Sequence, residues 1–531
     1  MRPGHTCRHR ADRCPPVAAH PGRRPRLPVE GQQAGVIPIP YLRARHRLAV
    51  DGVLLAMFVF GCFVFGVLSV RRTTEGVLLT AALFCVVVYW VKPEGMVGVT
   101  LFGAFAALPE GLHVGKVFGP LTIYAYHLAA FLAICYLIPA AKPRSSDFLL
   151  PGILAVTAVC STVTGFLVGN SALVVTREST TMLEMALGFV LALFVVYSGH
   201  VIWSIRVMIA ILWFSAGMAI VSSLYSIRLA GRAESLEGTT GAGQAMRIIL
   251  STQTPATAVL SALVAAPIVG RVRPRLYLAL GPPALSISLL SFSRNTLISM
   301  GVAAAVALLG SLSWAAVRRT IVAATVGATL VAVTVPGSLF LLQRSKTGAW
   351  LADQYVAFSQ RVLGGVTSSA LAVDDSALER LREINLLKET IASAPLFGHG
   401  LGYVYQPPTG DDEFHRYLYP AYSHNFYLWW LAKAGAVGMA AFVLFALTPV
   451  ILALRCTSGP AKIAAAVAAG LLAISAVWPL PEMPMDALGL GMALGAAMGY
   501  AGLRRRERQL DDRCAAPGPT SNSPVGVGTS S

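Results

Sequence analysis

Charge is scarce in this 531-residue sequence and acid is scarcer still: 25 Asp and Glu stand against 42 Lys and Arg, and the four types together make up only 13% of the chain. A soluble protein of this length would divide into two or three domains with charged surfaces, and a chain that is 55% hydrophobic excludes that arrangement. Long polar stretches are also missing, apart from the two ends and residues 343–425. Cysteine is sparse, and none of the eight lies in that polar stretch, so no disulfide framework is implied. No internal repeat of the kind that marks a solenoid or many transporters is evident.

What is present is a series of apolar runs separated by short basic or Pro/Gly-containing breaks. Runs of about twenty such residues match the hydrocarbon thickness, which predicts an all-α integral membrane protein, a polytopic helical bundle of about 12–14 transmembrane helices. Spans are predicted near 52–70, 76–91, 94–108, 119–140, 148–169, 181–202, 206–228, 250–270, 276–292, 296–317, 320–342, 426–454, 462–479 and 485–502. Residues 1–47 read as a disordered basic extension with ten Arg, 48–502 as the membrane domain, and 503–531 as a disordered C-terminal tail. The location is then a cell membrane, crossed many times.

Basic residues orient the chain. Lys92, Lys142, Arg144, Arg206, the "RVRPR" of 271–275, Arg318, Arg319, Arg455 and Lys462 all fall on the side of the Arg-rich termini, with Arg71 and Arg72 on the other. By that reasoning 343–425 is one large extracytoplasmic loop containing short helices. It holds seven Lys and Arg against nine Asp and Glu, so the net charge of +17 belongs to the tails and cytoplasmic loops. The basicity reports topology and anionic lipid, and no nucleic-acid partner.

Three places can carry chemistry. In "AYSHNFYLWWLAKAGAVGM", residues 421–439, Asn425 suits a helix cap, Trp429 and Trp430 an interfacial belt, and Gly435 and Gly438 close helix packing. His424, held at a membrane surface, also has the chemistry of a general base. Lys433, about two turns deeper, requires a carboxylate such as Glu184 or Asp486, or a polar cavity. In "SFSRNTLIS", residues 291–299, Ser293 or Asn295 can cap the next span, with Arg294 beside the positive helix end: an anion site in outline, or an Arg reaching for lipid headgroups. In residues 374–402 the spacing of Leu381, Ile384, Leu387 and Ile391 predicts a helix over 376–393 with one apolar side, closed by a Pro/Gly turn. Arg380 falls on that side, toward the membrane domain, and needs a neighbouring Glu or a ligand phosphate, whereas Arg382 falls on the side of Glu389, toward water. No metal is assigned: Asp411, Asp412, Glu413 and His415 read as a solvated acidic turn, and Cys7 and Cys14, near His5, His9 and His20, match no zinc spacing.

These residues together resemble the O-antigen ligase and polymerase family, the Wzy-type polymerases and their ligase relatives, over roughly residues 250–450. His424-Asn425 followed by nine residues and Gly435-Ala436-Val437-Gly438 is similar to the ligase pattern, with Met439 where the family usually takes Gly, Thr or Tyr. "FSRN" resembles the family's Ser-Arg before a span, and "ERLREI…APLFGHGLG" its loop helix and Gly-rich turn. The resemblance implies a membrane glycosyltransferase that polymerises or transfers oligosaccharide from an undecaprenyl-diphosphate-linked donor to an acceptor hydroxyl on a glycan or lipid, at the outer face. It implies His424 as base, with Arg294 and Arg380 on the diphosphate and Arg382 as the lesser substitute for Arg380. Ser293, Asn295, Asn425 and Lys433 are the further substrate-binding candidates. The chemistry needs no metal or cofactor and predicts inversion at the anomeric carbon. A polytopic transporter or lipid-linked sugar flippase is the alternative.

Overall fold

The structure, a computed structural model, describes residues 73–109, 115–118, 121–225, 227–235, 246–322, 345–363, 375–408 and 418–515, with a few single residues between. The N-terminal extension, the first predicted span, most of the eleventh and the acidic turn 411–415 lie outside the described residues.

The other predicted spans each fall on one helix. These are α1 (Thr73–Val91), α2 (Gly95–Phe105), α3 (Ala125–Ala141), α4 (Leu149–Val168), α5 (Ala172–Tyr197), α6 (Val201–Tyr225), α7 (Gln253–Val269), α8 (Pro274–Leu290) and α9 (Asn295–Gly310). Two loop helices follow, α10 (Lys346–Phe358) and α11 (Asp375–Ser393), and then α12 (Phe426–Leu454), α13 (Gly459–Ile474) and α14 (Pro484–Ala515). Among the described residues, four stretches are long and apolar enough to cross a membrane by themselves: 145–168, 172–197, 201–225 and 426–454. Shorter apolar helices such as α7, α9 and α13 complete a polytopic all-α membrane fold. Two small antiparallel hairpins interrupt it, β1 (Gly115–Phe118) with β2 (Leu121–Tyr124), and β3 (Gly231–Ser235) with β4 (Met246–Leu250).

Several boundaries differ from the sequence reading. The sixth span is predicted at 181–202, yet α5 begins at Ala172 because Glu178 finds a cation inside the bundle. Residues 503–515 continue α14 as helix, since Arg506 donates to Ala141 O (3.1 Å) and Asp147 Oδ2 (3.0 Å) and stacks on Tyr197.

Lipid tails are as apolar as Leu, so helices associate in a bilayer through close packing and hydrogen bonds. Here α5 and α14 run parallel with backbones nearly touching: a Cβ on Gly491 would lie 2.0 Å from Met185 O, and one on Gly495 2.1 Å from Phe189 O. A polar seam joins the parallel α7 and α9, with Thr257 against Thr296 (3.0 Å) and Ser261 against Ser299 (2.9 Å). The antiparallel α13 packs on α9 where Gly470 faces Ser299. Trp429 and Trp430 are 1% and 0% exposed, so they belong to the core with Phe426, Phe442 and Phe445 rather than to an interfacial belt. Both indole N–H groups are satisfied inside, by Ala421 O and Gly438 O.

The long helix α12 is broken. Gly435 adopts φ 65°, ψ −171°, a conformation open in practice only to glycine, and the backbone groups around it leave the helical ladder. Residues 395–402 take them up: His399 N–H donates to Ala432 O (3.0 Å) and Gly400 N–H to Lys433 O (2.9 Å), while Ala436 and Val437 N–H donate to Pro395 O (2.8 Å) and Leu396 O (3.2 Å). On its other side this segment meets α4, where Leu401 N–H donates to Ser161 O (2.9 Å), and Asn170 donates to Leu401 O (2.8 Å). The Pro/Gly stretch expected as an external turn is therefore a re-entrant segment wedged between α4 and α12. Unpaired backbone at that depth is tolerable only where protein supplies every partner.

Candidate functional site

The site begins with the cap of α12. Asn425 Oδ1 accepts from the N–H groups of Tyr427 (3.1 Å) and Leu428 (3.2 Å), and Phe426 N–H donates to Ser475 O at the end of α13 (3.1 Å). His424 thus stands in an extended segment fixed on both sides, one residue before a capped helix.

Its imidazole is oriented by a residue that the sequence reading passed over. Glu383 of α11 accepts from His424 Nδ1 through Oε2 (2.8 Å) and from His424 N–H through Oε1 (2.7 Å), and Ser423 Oγ donates to the same Oε1. Glu383 is 3% exposed and the His424 side chain 28%. A carboxylate only accepts, so the arrangement places the imidazole proton on Nδ1 and leaves the Nε2 lone pair available. The ring of Tyr422 stands edge-on to the imidazole, 5.3 Å between centroids.

A second carboxyl lies behind. Glu482 Oε2 accepts from Ser423 N–H (3.1 Å), while its Oε1 is inaccessible and has no partner among the described residues. Burial pushes this carboxyl well above the usual carboxylate range. Burial likewise raises the Tyr405 hydroxyl, which donates to Tyr422 O, with the charges of Glu383 and Glu482 adding to the effect.

The helix expected over 376–393 is α11, but its inner side differs from the apolar side drawn in sequence. Leu381 is 57% exposed, whereas Glu383 and Leu387 are buried and Glu379 accepts from Tyr419 OH (2.6 Å). Partners contributed by residues 423–424 turn the Glu383 carboxylate inward, which the spacing of apolar residues cannot reveal. Arg380 and Arg382 are both exposed. At about 100° per residue, Arg380 lies about 60° from Glu383 around the helix and Arg382 about 100°. No carboxylate among the described residues pairs with Arg380.

Arg294 occupies the cap position of α9, half-buried, after a turn in which Phe292 takes φ 46°. Ser293 Oγ accepts from Asn295 N–H (3.3 Å), so Ser293 steadies the start of α9 while Asn295 is its first residue. A further guanidinium was missed: Arg247 of β4 donates from Nε to Ser291 O in the same turn (3.1 Å). The level of Arg294 follows from α13. Gly470 faces Ser299, and five residues outward on each helix, about 7.5 Å, stand Ser475 and Arg294. Ser475 O holds Phe426, two residues past His424. The turn of Arg294, the segment of His424 and helix α11 therefore share one end of the bundle.

Lys433 is buried and pairs with Glu178 Oε1 (2.5 Å), with its ammonium 5.0 Å from the Trp429 ring centroid. Glu178 Oε2 accepts from Gly402 N–H (2.6 Å), so the pair ties α12, α5 and the re-entrant segment together. The expected partners are engaged elsewhere: Glu184 holds His127 Nε2 (2.7 Å) and Tyr126 OH (3.0 Å), and Asp486 accepts from Thr254 Oγ1 (2.7 Å). Among the described residues no cluster of His, Cys, Asp and Glu could hold a metal ion. The acidic turn and the N-terminal cysteines lie outside them.

A polytopic helical membrane protein with an oriented histidine and arginines gathered at one end defines the class. Within it, residues 283–443 match the family described as O-Antigen ligase (Wzy_C), a match that supports a relation to that family over this segment. The match begins on α8, before Arg294, and ends on α12, beyond Gly438. No curated protein matches the chain. That match supports an O-antigen ligase or polymerase type of function, that of a glycosyltransferase-like enzyme of cell-envelope biogenesis.

Proposed function

We propose that the protein transfers or polymerises oligosaccharide from an undecaprenyl-diphosphate-linked donor onto an acceptor hydroxyl at the end of the bundle where His424 stands. His424 Nε2 takes the acceptor's proton, and the acceptor oxygen attacks the anomeric carbon from the face opposite the diphosphate. The bond from that carbon to the diphosphate oxygen breaks and the configuration inverts. Negative charge grows on the leaving diphosphate, where Arg294 and Arg380 are the residues to stabilise it. General base catalysis and in-line positioning are each worth orders of magnitude in such a step. The single observation that carries the reading is the Glu383–His424 pair, which presents an imidazole lone pair beside the mouth of α12.

The break in α12 is the one feature that speaks for a transporter. It is filled by the protein's own residues 395–402, and its one ionised pair, Lys433 with Glu178, is closed by Gly402. Transferase is therefore the better reading. Its test is glycan transfer by purified protein supplied with a lipid-diphosphate oligosaccharide. His424→Ala and Arg294→Ala abolish transfer while the protein still inserts, and Arg380→Ala costs at least ten times more than Arg382→Ala. Full activity in the His424 or Arg294 variant overturns the assignment. Identification of the glycosylated product separates a glycan or lipid acceptor from a protein hydroxyl.

A further inference from the structure

The far end of the bundle holds a basin that the transfer chemistry does not use. It opens where α7 and α9 end and α13 begins, with a volume of about 400 Å³, and Arg271, Ser311, Thr457, Gly459 and Lys462 are among its walls. That volume is within the range of small-ligand sites. Its electrostatics are one-sided: the surrounding segments 270–275, 311–320 and 455–462 carry seven Arg and Lys and no Asp or Glu. Neither Arg271 nor Lys462 has a side-chain hydrogen bond or ion-pair partner among the described residues.

Two further features point inward. The stem of Arg271 lies across Gly459, where a Cβ would come 2.9 Å from Arg271 Cγ and Nε, so the first residue of α13 must be small for this arginine to lie there. The N-terminus of α13 has no side-chain cap, so its first N–H groups and the positive end of a 16-residue helix are directed toward the basin. Two unpaired cations and an uncapped helix start around one cavity are complementary to a tetrahedral oxyanion.

We propose that this basin binds a phosphate ester, at the membrane surface opposite the His424 site. The phosphate can belong to a lipid headgroup or to a soluble anion, and the two sources are separable. The full-length protein in detergent is titrated with dioleoyl phosphatidylglycerol and with dioleoyl phosphatidylcholine, with adducts counted by native mass spectrometry. In parallel, inorganic phosphate is scored by thermal shift. The expected result is binding that Arg271→Gln with Lys462→Gln weakens about tenfold or more and that Arg455→Gln, outside the basin, leaves unchanged. Phosphatidylglycerol binding of that kind, without a phosphate shift, identifies a headgroup, and a phosphate shift lost in the double variant identifies a soluble anion. Equal binding of both lipids, or equal weakening by Arg455→Gln, would show only diffuse surface attraction and overturn the proposal. So would failure of both probes. The single variants, each at a side chain with no partner to lose, stand in should the double variant fail to fold.

Discussion

Glu383→Gln is the sharpest probe of the site, because it changes charge and hydrogen-bond polarity at nearly constant shape. Glu383 accepts from three donors: His424 Nδ1 (2.8 Å), His424 N–H (2.7 Å) and Ser423 Oγ. A carboxamide brings one acceptor atom and one donor group to the same places. The backbone N–H of His424 cannot change, so the amide oxygen faces it and the amide NH2 faces Nδ1. The imidazole then relieves the donor-donor clash by moving its proton to Nε2, which removes the lone pair that takes the acceptor's proton. Loss of a charged hydrogen bond alone is worth about 1.5–3 kcal/mol, or roughly 10- to 150-fold in rate. A fully inverted tautomer can raise the loss to about 10⁴. The assay is single-turnover transfer by purified protein, with kcat and KM separated and the folded fraction measured on the same sample. The expectation is a kcat reduced at least tenfold, KM within about twofold and an unchanged melting temperature, with partial recovery in Glu383→Asp. Wild-type kcat in Glu383→Gln would refute the orienting role, and a kcat that fell only with the folded fraction would reduce Glu383 to a structural residue.

Three other outcomes follow from the geometry. Gly435→Ala places a methyl 2.3 Å from Leu396 C at φ 65°, where strain alone costs about 1–3 kcal/mol, so the detergent-solubilised protein melts lower and exposes residues 395–402 to protease; an unchanged melting curve would contradict the broken helix. Lys433→Met leaves Glu178 buried without its cation, at a cost of about 3–5 kcal/mol, while Lys433→Met combined with Glu178→Gln recovers most of it; equal stabilities of single and double variants would show that the pair is not coupled. Glu482 keeps its proton to higher pH folded than unfolded, so its contribution is complete below the ordinary glutamate value of 4.5 and is lost as pH rises toward the folded value. Glu482→Gln removes that loss, and melting temperature followed from pH 4.5 upward declines less steeply in the variant; parallel curves would argue against a buried neutral carboxyl.

The spans were legible because the hydrocarbon core imposes length and composition on every one, and α7, α8, α9 and α12 all begin within three residues of the predicted boundaries. The cap at Asn425 was legible for a similar reason, since the first turn of any helix has N–H groups to satisfy. What failed was the step from residue type to partner. On α11 the apolar residues Leu378 and Leu381 are exposed and Glu383 is buried, because a hydroxyl and N–H groups from residues 423–424, some forty positions on, outweigh apolar spacing. Lys433 required a carboxylate, and the one it found was set by the packing of α5 against α12 and the re-entrant segment.

The two glycine-rich signatures, noted separately in the sequence, prove to be halves of one device. "APLFGHGLG" and residues 432–437, on either side of Gly435, touch through four backbone hydrogen bonds, and Cβ atoms at Gly398, Gly400 and Gly435 would each come within 2.4 Å of neighbouring backbone. Their effect reaches the site through rigid pieces. Residues 395–402 follow directly on α11, which carries Glu383, and lock to the first twelve residues of α12, whose capped start follows His424. Acid and imidazole are thus held at two ends of a closed loop, 383 to 424, cinched at its middle against the helix. A change at the cinch displaces Glu383 relative to His424 without touching either, and so a variant such as Gly398→Ala should lose transfer activity more steeply than it loses insertion.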